Sequence, residues 1–148
     1  AQVNLGFSGN AHGEEVTARY IAGLKMSAFI FDYDHNAPSV DHLRKTHEPF
    51  FRIVRKAQLE LPVVLVSKPD FDGAPDENRV RRSIILQTYL NALAAGDRHV
   101  YFVDGESLFG RDDRDMCTVD GCHPTSLGFL RMADHIEPVL RRALSERA

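Results

Sequence analysis

Four short segments dominated by apolar side chains have the pattern of buried strands. Each has five to seven residues and is followed within two residues by Gly, Pro, Asn or Asp, which end strands and begin turns. The segments are residues 3–8, 28–33, 61–67 and 99–103. Residues 61–67, LPVVLVS, have the strongest strand character of the four. The pattern therefore predicts four strands.

A longer stretch with helical periodicity follows each predicted strand. The stretches are residues 14–24, 40–59, 77–95 and 127–144. Pro49 lies inside the second stretch and predicts a break or kink there. The apolar positions predicted to face inward are Val16, Tyr20, Ile21 and Leu24; Leu43, Phe50, Ile53, Val54 and Ala57; Val80, Ile84, Leu86, Tyr89, Leu90 and Leu93; and Leu127, Leu130, Met132, Ile136 and Leu140.

Strict alternation of strands and helices is typical of α/β proteins. Right-handed crossovers between such strands give a parallel sheet with helices on both faces. The chain has 148 residues, which suits one domain that buries about two thirds of its unfolded surface. Neither a repeat nor a linker interrupts it, so we predict a single α/β domain over residues 1–148.

Composition and charge narrow the class of partner. The chain is 43% apolar and 26% charged, with a formal charge of -3, which disfavours both disorder and a nucleic-acid partner. No apolar run approaches the roughly 20 residues of a membrane span, and the amino terminus lacks the layout of a signal peptide. We expect a soluble protein with a small-molecule or protein partner. The compartment is left undetermined, with the cytoplasm slightly favoured.

Polar residues follow every predicted strand. In open parallel sheets the site forms beyond the carboxyl ends of the strands. The groups at those ends are residues 8–10, 34–36, 67–69 and 104–106, with residues 120–123 in the loop before the last helix. We therefore expect these groups to gather at one edge of the sheet.

Asp120 and His123 stand three residues apart in the turn sequence DGCHP. A carboxylate at that distance can accept the Nδ1 proton of the imidazole and leave Nε2 as a base, as serine hydrolases require. The alternative is a capping aspartate followed by a surface histidine, and the pair alone does not decide between them.

Three separated blocks, LGFSGN, DYDHN and DGCHPTSLG, together resemble the SGNH, or GDSL-type, hydrolases. The resemblance runs from residue 3 to about residue 140 and implies a three-layer, flavodoxin-like fold. It also implies a catalytic pair, Asp120 and His123, and an oxyanion hole formed by Gly9 and Asn36. No cofactor is implied.

The nucleophilic serine of that family has no match in this chain. Ser8 is predicted to shape the turn that presents the amide of Gly9, because a nucleophile elbow would need glycine where the chain has Asn10. The family's serine follows an earlier strand, which would lie between the strands predicted at 3–8 and 28–33. We therefore expect an amino-terminally truncated domain, with the strand and serine supplied by a missing segment or by a second chain.

The resemblance implies a serine esterase acting on a small ester. The alternatives are an acyltransferase of the same fold and a non-catalytic binding module or inactive fragment. Candidate substrate contacts are Ser8, Asn10, His35 and Lys68.

Cys117 and Cys122 flank Asp120 and could form a disulfide or remain two thiols. No metal site is expected, because a zinc site would need a second close pair of ligands.

Overall fold

A computed structural model describes residues 2–69 and 72–146 of the chain. The strands are β1 (Phe29–Phe31), β2 (Val63–Val66) and β3 (Val100–Val103). The helices are α1 (Glu15–Ala22), α2 (Val40–Ala57), α3 (Pro75–Ala94), α4 (Gly105–Leu108) and α5 (Ser126–Ser145). Three 3-10 turns add Phe7–Gly9, Asp34–Asn36 and Arg114–Cys117.

The three strands form a parallel sheet in the order β1-β2-β3. Phe31 pairs with Leu65, and Leu65 pairs with Phe102, so the strands run in register from one edge of the sheet to the other. Each connection carries at least one helix, as parallel strands require. The predicted α/β class with a parallel sheet is confirmed.

Successive residues of β2 point to opposite faces of the sheet and so divide the core in two. Val63 and Leu65 belong to a cluster with side chains of α1, α2 and α3, whereas Val64 and Val66 pack with α4 and α5. All four residues are fully buried. The domain therefore has three layers, which matches the expectation.

The predicted strand at residues 3–8 is wrong. Those residues are irregular and then enter the 3-10 turn at Phe7, and Val3 and Phe7 are exposed. The carboxamide of Asn4 accepts a hydrogen bond from the backbone N–H of Gly6, 2.9 Å away, which bends the chain locally. Among the described strands, β1 pairs only with β2. An apolar segment without a neighbouring strand has no ladder to join.

The helices bury different positions from some of those predicted. In α1 the buried residues are Ala18 and Ile21, whereas Val16 and Tyr20 are exposed. Leu130 of α5 is also exposed. In α3 the exposed apolar residues are Val80, Leu90 and Leu93, and the buried ones are Asn78, Arg81, Ile85, Thr88 and Ala92.

α2 is continuous through Pro49, so the predicted break is absent. Its buried side includes Leu43, Phe50 and Val54, as predicted, together with His47 and Phe51.

Two hydrogen bonds hold the carboxyl ends of the strands together. The backbone N–H of Lys68 donates to Asp34 Oδ2 over 3.0 Å, and the N–H of Gly105 donates to Ser67 Oγ over 2.8 Å. Gly105 approaches β2 so closely that a Cβ there would lie 2.1 Å from the carbonyl oxygen of Lys68. Only glycine fits that contact. The edge of the sheet that carries the polar residues is therefore fixed by its own backbone.

Candidate active site

Asp120 and His123 form the hydrogen-bonded pair that their spacing predicts. Asp120 Oδ2 lies 2.7 Å from His123 Nδ1, and Asp120 Oδ1 accepts the backbone N–H groups of Cys122 and His123 at 3.0 and 2.8 Å. A carboxylate can only accept, so Nδ1 carries the proton and Nε2 of the neutral ring has the free lone pair. The pair has the orientation of a general base and its positioning carboxylate.

These hydrogen bonds keep Asp120 ionised. The backbone N–H of His123, then its imidazole, then the N–H of Cys122 lower the pKa of Asp120 to about 2. The His123 side chain is 77% exposed. Its ring is thus oriented from one side and open to an incoming group on the other.

The histidine loop, residues 118–125, is held by its own backbone and by the start of α5. The N–H of Val119 donates to the carbonyl of His123 over 2.9 Å, and Thr118 bridges to Pro124. Thr125 caps α5 by accepting from the N–H of Gly128 at 3.2 Å.

Gly128 itself lies against the loop. A Cβ at this position would be 2.2 Å from the carbonyl oxygen of Cys117, so any side chain would push α5 away from the residues that lead into the loop. The contact with α5 therefore fixes the position of the loop that carries Asp120 and His123.

The amide turn, Asp34–Asn36, follows β1 and contains the predicted oxyanion donor. Asn36 is half-buried, and its backbone N–H bonds to Tyr33. Its side-chain amide makes no hydrogen bond to any other described residue.

Asp34 and Arg81 anchor the amide turn from below. Asp34 is fully buried, and Arg81 Nη1 lies 3.0 Å from its carbonyl oxygen and 3.4 Å from its carboxylate. Arg81 Nη2 also donates to the carbonyl of Ala37 at 3.1 Å. Burial raises the pKa of Asp34, while the N–H of Lys68 and the Arg81 guanidinium oppose that rise. Sequence reasoning missed Arg81, because it lies among charged residues on the polar half of a predicted helix.

A side-chain contact joins the amide turn to the histidine loop. Cys122 Sγ is 3.5 Å from His35 Nδ1, so residues directly beside Asn36 and His123 touch each other. The structure thus brings together the two loops in which sequence reasoning placed Asn36 and the Asp120–His123 pair.

The amino-terminal segment, residues 2–13, carries the other predicted oxyanion donor, Gly9. Gly9 is exposed with φ +85°, and Ser8 before it has φ 48°. The amide of Asn10 donates to the carbonyls of Phe7 and Ser8, so that side chain is occupied within its own turn.

The segment is attached to the domain farther along, at His12 and Gly13. The carbonyl of His12 lies 2.7 Å from His42 Nε2, and Gly13 packs on the ring of Tyr33. No hydrogen bond within residues 2–69 and 72–146 joins Gly9 to Asn36 or His123. Convergence of the three groups in one cleft remains a prediction.

Lys68, a predicted substrate contact, is half-buried at the end of β2, and its backbone N–H donates to Asp34 Oδ2. Its contact with a substrate stays a prediction. Cys117 is buried, Cys122 is half-exposed, and the two are not joined by a disulfide. Among the described residues no cluster of His, Cys, Asp or Glu could hold a metal ion, and no helix is long and apolar enough to cross a membrane.

A pocket of about 460 Å³ lies between α2 and the end of α3, lined by Phe51, Arg55 and His99 among others. It contains none of the predicted site residues. It lies at the amino ends of the strands, since His99 precedes β3, and so opens at the edge opposite the histidine loop.

Two solved structures resemble the fold. A protein described as a GDSL-like lipase from Bacteroides ovatus superimposes with a TM-score of 0.80 at 22% identity, over 93% of this chain and 42% of its own. A salicylyl-acyltransferase from a tetracycline biosynthetic pathway gives a TM-score of 0.69 at 19% identity, over 89% of this chain and 42% of its own. The chain thus spans less than half the length of either protein. No curated protein matches it.

The model of the GDSL-like lipase/acylhydrolase family matches residues 1–141, almost the whole chain. The match covers the amino-terminal segment, the amide turn, the histidine loop and most of α5. On this sequence match and the shared fold, the chain belongs to the GDSL-like lipase/acylhydrolase family.

Proposed function

We propose that this chain is the acid-base and oxyanion portion of a serine ester hydrolase whose nucleophile comes from outside residues 1–148. His123 is the general base, Asp120 orients it, and Gly9 and Asn36 donate to the oxyanion. The substrate is a small-molecule ester, and neither a metal nor a cofactor takes part.

The geometry of Asp120 and His123 carries the proposal. An aspartate used only as a helix or turn cap would need the backbone N–H groups alone, yet Asp120 uses its second oxygen to hold His123 Nδ1 at 2.7 Å. Because the imidazole is oriented and mostly exposed, its Nε2 can receive a proton from an approaching hydroxyl. A surface histidine without a role needs no such support.

The reaction follows from these positions. His123 Nε2 removes the serine proton as the oxygen attacks the ester carbonyl, and Asp120 stabilises the resulting imidazolium. The carbonyl oxygen becomes an oxyanion, which the Gly9 N–H and the Asn36 amide bind, each donor contributing about 3 kcal/mol to the transition state. His123 then protonates the leaving alcohol. Water then attacks the acyl-enzyme by the same steps, with His123 again as the base, and frees the serine.

Ser8 is a poor candidate for the attacking group. It is exposed in a left-handed turn of the amino-terminal segment, and no hydrogen bond joins it to His123 within the described residues. Nucleophile and base need to come within hydrogen-bond reach of each other. We therefore assign the serine to a further segment or a second chain.

We propose that the segment carrying the serine binds at the free edge of β1. β1 pairs with β2 on one side alone in the described sheet, and Ile30, which points toward the α4 and α5 face, is exposed. An open apolar edge favours addition of a strand. A strand added parallel to β1 would end at the same edge of the sheet as the amide turn, which would bring its terminal residue toward His123.

Acyl transfer to an alcohol other than water needs the same groups and differs only in the acceptor. One of the two similar structures is described as an acyltransferase, so alcohol acceptors belong in the test.

The test is hydrolysis of p-nitrophenyl acetate by the chain alone and by the longer protein that includes the preceding coding sequence. We expect negligible turnover from the chain and His123-dependent turnover from the longer protein, with acyl transfer measured by adding simple alcohols. Absence of turnover in both forms would favour a binding module.

A further inference from the structure

A thiol–imidazole pair lies beside the proposed base. Cys122 Sγ is 3.5 Å from His35 Nδ1, and the contact crosses from the histidine loop to the amide turn. Cys122 directly precedes His123. An imidazole next to a cysteine favours the thiolate, which is the nucleophilic form of sulfur. The pair therefore has the two parts of a reactive thiol site, an attacking sulfur and a proton acceptor.

The second cysteine provides an internal comparison. Cys117 is fully buried, with Sγ 3.9 Å from the carbonyl of Phe109 and 3.7 Å from that of Asp113, and 3.5 Å from Arg131 Nη1. Cys122 is half-exposed and faces an imidazole. Buried cysteines are generally inert, whereas accessible ones beside a basic group react. The two thiols of one domain are thus expected to differ.

We propose that Cys122 is a modification site at which a low-molecular-weight disulfide exchanges with the thiol, and that His35 activates it. His35 Nδ1 accepts the thiol proton, and the Cys122 sulfur attacks one sulfur of the disulfide. The S–S bond breaks, and the second sulfur leaves as a thiolate that takes up the proton from His35. The product is a mixed disulfide on Cys122 and one free small thiol, so no further oxidant is needed.

The adduct would occupy the space between the histidine loop and the amide turn. Its position, one residue from His123 and against the neighbour of Asn36, would keep an ester from reaching both groups. This consequence rests on the proposed function. The reactivity of the thiol does not.

Other ionisable groups lie near the pair. His123 and Asp120 belong to the same loop as Cys122, while Asp34 interacts electrostatically with His35 and with Lys68 from behind the amide turn. The contact of His35 Nδ1 with the sulfur is the one that the proposal uses. Replacing His35 is therefore the direct way to test its role.

The labelling experiment uses the folded 148-residue chain and 5,5′-dithiobis(2-nitrobenzoate) as the disulfide. Released nitrothiobenzoate gives the rate, and peptide mass spectrometry gives the position. We expect one adduct, on Cys122, absent in Cys122→Ser. At pH 6.5 His35→Gln should react about fivefold more slowly than wild type. His35 gives the wild-type chain more thiolate, but that thiolate is intrinsically less nucleophilic, so the difference in rate is smaller than the difference in thiolate.

His135→Gln is the matched control. His135 is an exposed histidine of α5 whose ring contacts only the carbonyl of Arg131 among the hydrogen bonds described, so its replacement should leave the labelling rate unchanged. Equal rates for wild type and His35→Gln, or first labelling at Cys117, would overturn the proposal.

A second readout applies even where His35→Gln does not fold. The labelling rate of the wild-type chain should level off between pH 8 and pH 6, whereas an unassisted thiol loses about tenfold per pH unit over that range. An unbroken tenfold decline per unit would contradict the activated pair.

Activity of the longer enzyme separates this proposal from the proposed function. Treatment with the disulfide should abolish ester hydrolysis, dithiothreitol should restore it, and Cys122→Ser should resist the reagent. Full activity of the labelled enzyme would refute the blocking role. An enzyme that is inactive before treatment would count against the proposed function and leave the labelling result intact.

Discussion

The histidine loop and the amino-terminal segment differ in how the domain supports them. The loop is largely exposed, yet Asp120 binds three donors of its own turn, and Thr125 and Gly128 seat it on α5. The turn around Gly9 has hydrogen bonds within itself, and its segment is held to the rest of the domain by packing of Leu5 on the core and by the bond between His12 and His42. The histidine loop is thus held by more contacts of this chain than the turn around Gly9.

Exposure and order are therefore separate properties in this domain. The histidine loop gains its shape from short-range hydrogen bonds that need no neighbouring domain, so it can form in this chain alone. Gly9 belongs to a segment that pairs with no strand among residues 2–69 and 72–146, and its Val3 and Phe7 are exposed. We infer that the oxyanion hole is completed only when β1 gains its neighbour.

The largest effect is expected from a substitution in the histidine loop. In the complete enzyme, His123→Ala should lower kcat by about 10³-fold or more, because the serine then has no base. His135→Ala, which removes an exposed histidine of α5, should leave kcat unchanged. Ester hydrolysis under substrate saturation measures both. Comparable rates for His123→Ala and wild type would remove His123 from the mechanism.

The anchor beneath the amide turn can be broken separately. Arg81→Met leaves the buried carboxylate of Asp34 without its guanidinium and should lower the free energy of unfolding by about 3 kcal/mol. Arg79 is paired with Asp76 at the surface of the same helix, so Arg79→Met should change it by less than about 0.5 kcal/mol. Urea unfolding of both variants tests the contrast. Equal losses would mean that the buried pair does not anchor the turn.

Asn36 of the amide turn and Asn10 of the amino-terminal segment give a sharper kinetic comparison. Asn36→Ala should reduce kcat about a hundredfold through loss of an oxyanion donor. The amide of Asn10 is already bonded within the amino-terminal segment, so Asn10→Ala should have a much smaller effect. Steady-state kinetics of the complete enzyme distinguishes the two. A larger loss for Asn10→Ala would exchange their proposed roles.

The smallest effect, counted per pH unit, concerns the core behind β1. His47 is buried, stacks on Phe31 with ring centroids 4.6 Å apart, and bonds through Nδ1 to Thr88 Oγ1 at 2.9 Å. Burial lowers the pKa of His47 to about 3 from an ordinary value of 6.5. The unfolded chain then binds the proton first as the pH falls below 6.5.

Stability should therefore fall with pH between 6.5 and 3, by about 1 kcal/mol per pH unit from this group. Denaturant unfolding at pH 7, 6 and 5 measures the slope. His47→Gln should flatten it and the exposed His135→Gln should not. The same slope in His47→Gln would assign it to other groups.

Much of the sheet could be predicted from the sequence because buried parallel strands are continuous apolar runs. Residues 61–67 and 99–103 contain β2 and β3 for this reason. Residues 3–8 have fewer apolar side chains, three in six residues, and a strand also needs a partner, whose presence sequence alone does not show. Phe7 illustrates the point, since it is apolar and yet exposed.

The buried face of α3 shows a second limit. Its apolar residues Val80, Leu90 and Leu93 predicted an inward face, yet the helix buries Arg81 and Thr88, whose partners Asp34 and His47 come from distant parts of the chain. Buried polar residues are placed by such long-range partners, which periodicity does not reveal.

The Asp120–His123 pair, by contrast, was predictable because both members lie within one turn. Their three-residue spacing brings carboxylate and imidazole together without any tertiary contact. The contact between His35 and Cys122 was not predictable, because it joins residues 87 positions apart.

The proposed site is tested most directly by a crystal structure of the longer enzyme inactivated by a p-nitrophenyl phosphonate ester. We expect a phosphonylated serine from outside residues 1–148, its phosphoryl oxygen bonded to the Gly9 N–H and the Asn36 amide, and His123 Nε2 facing the serine oxygen. A phosphonyl group held by other donors, with Gly9 or His123 turned away from it, would refute the proposed site.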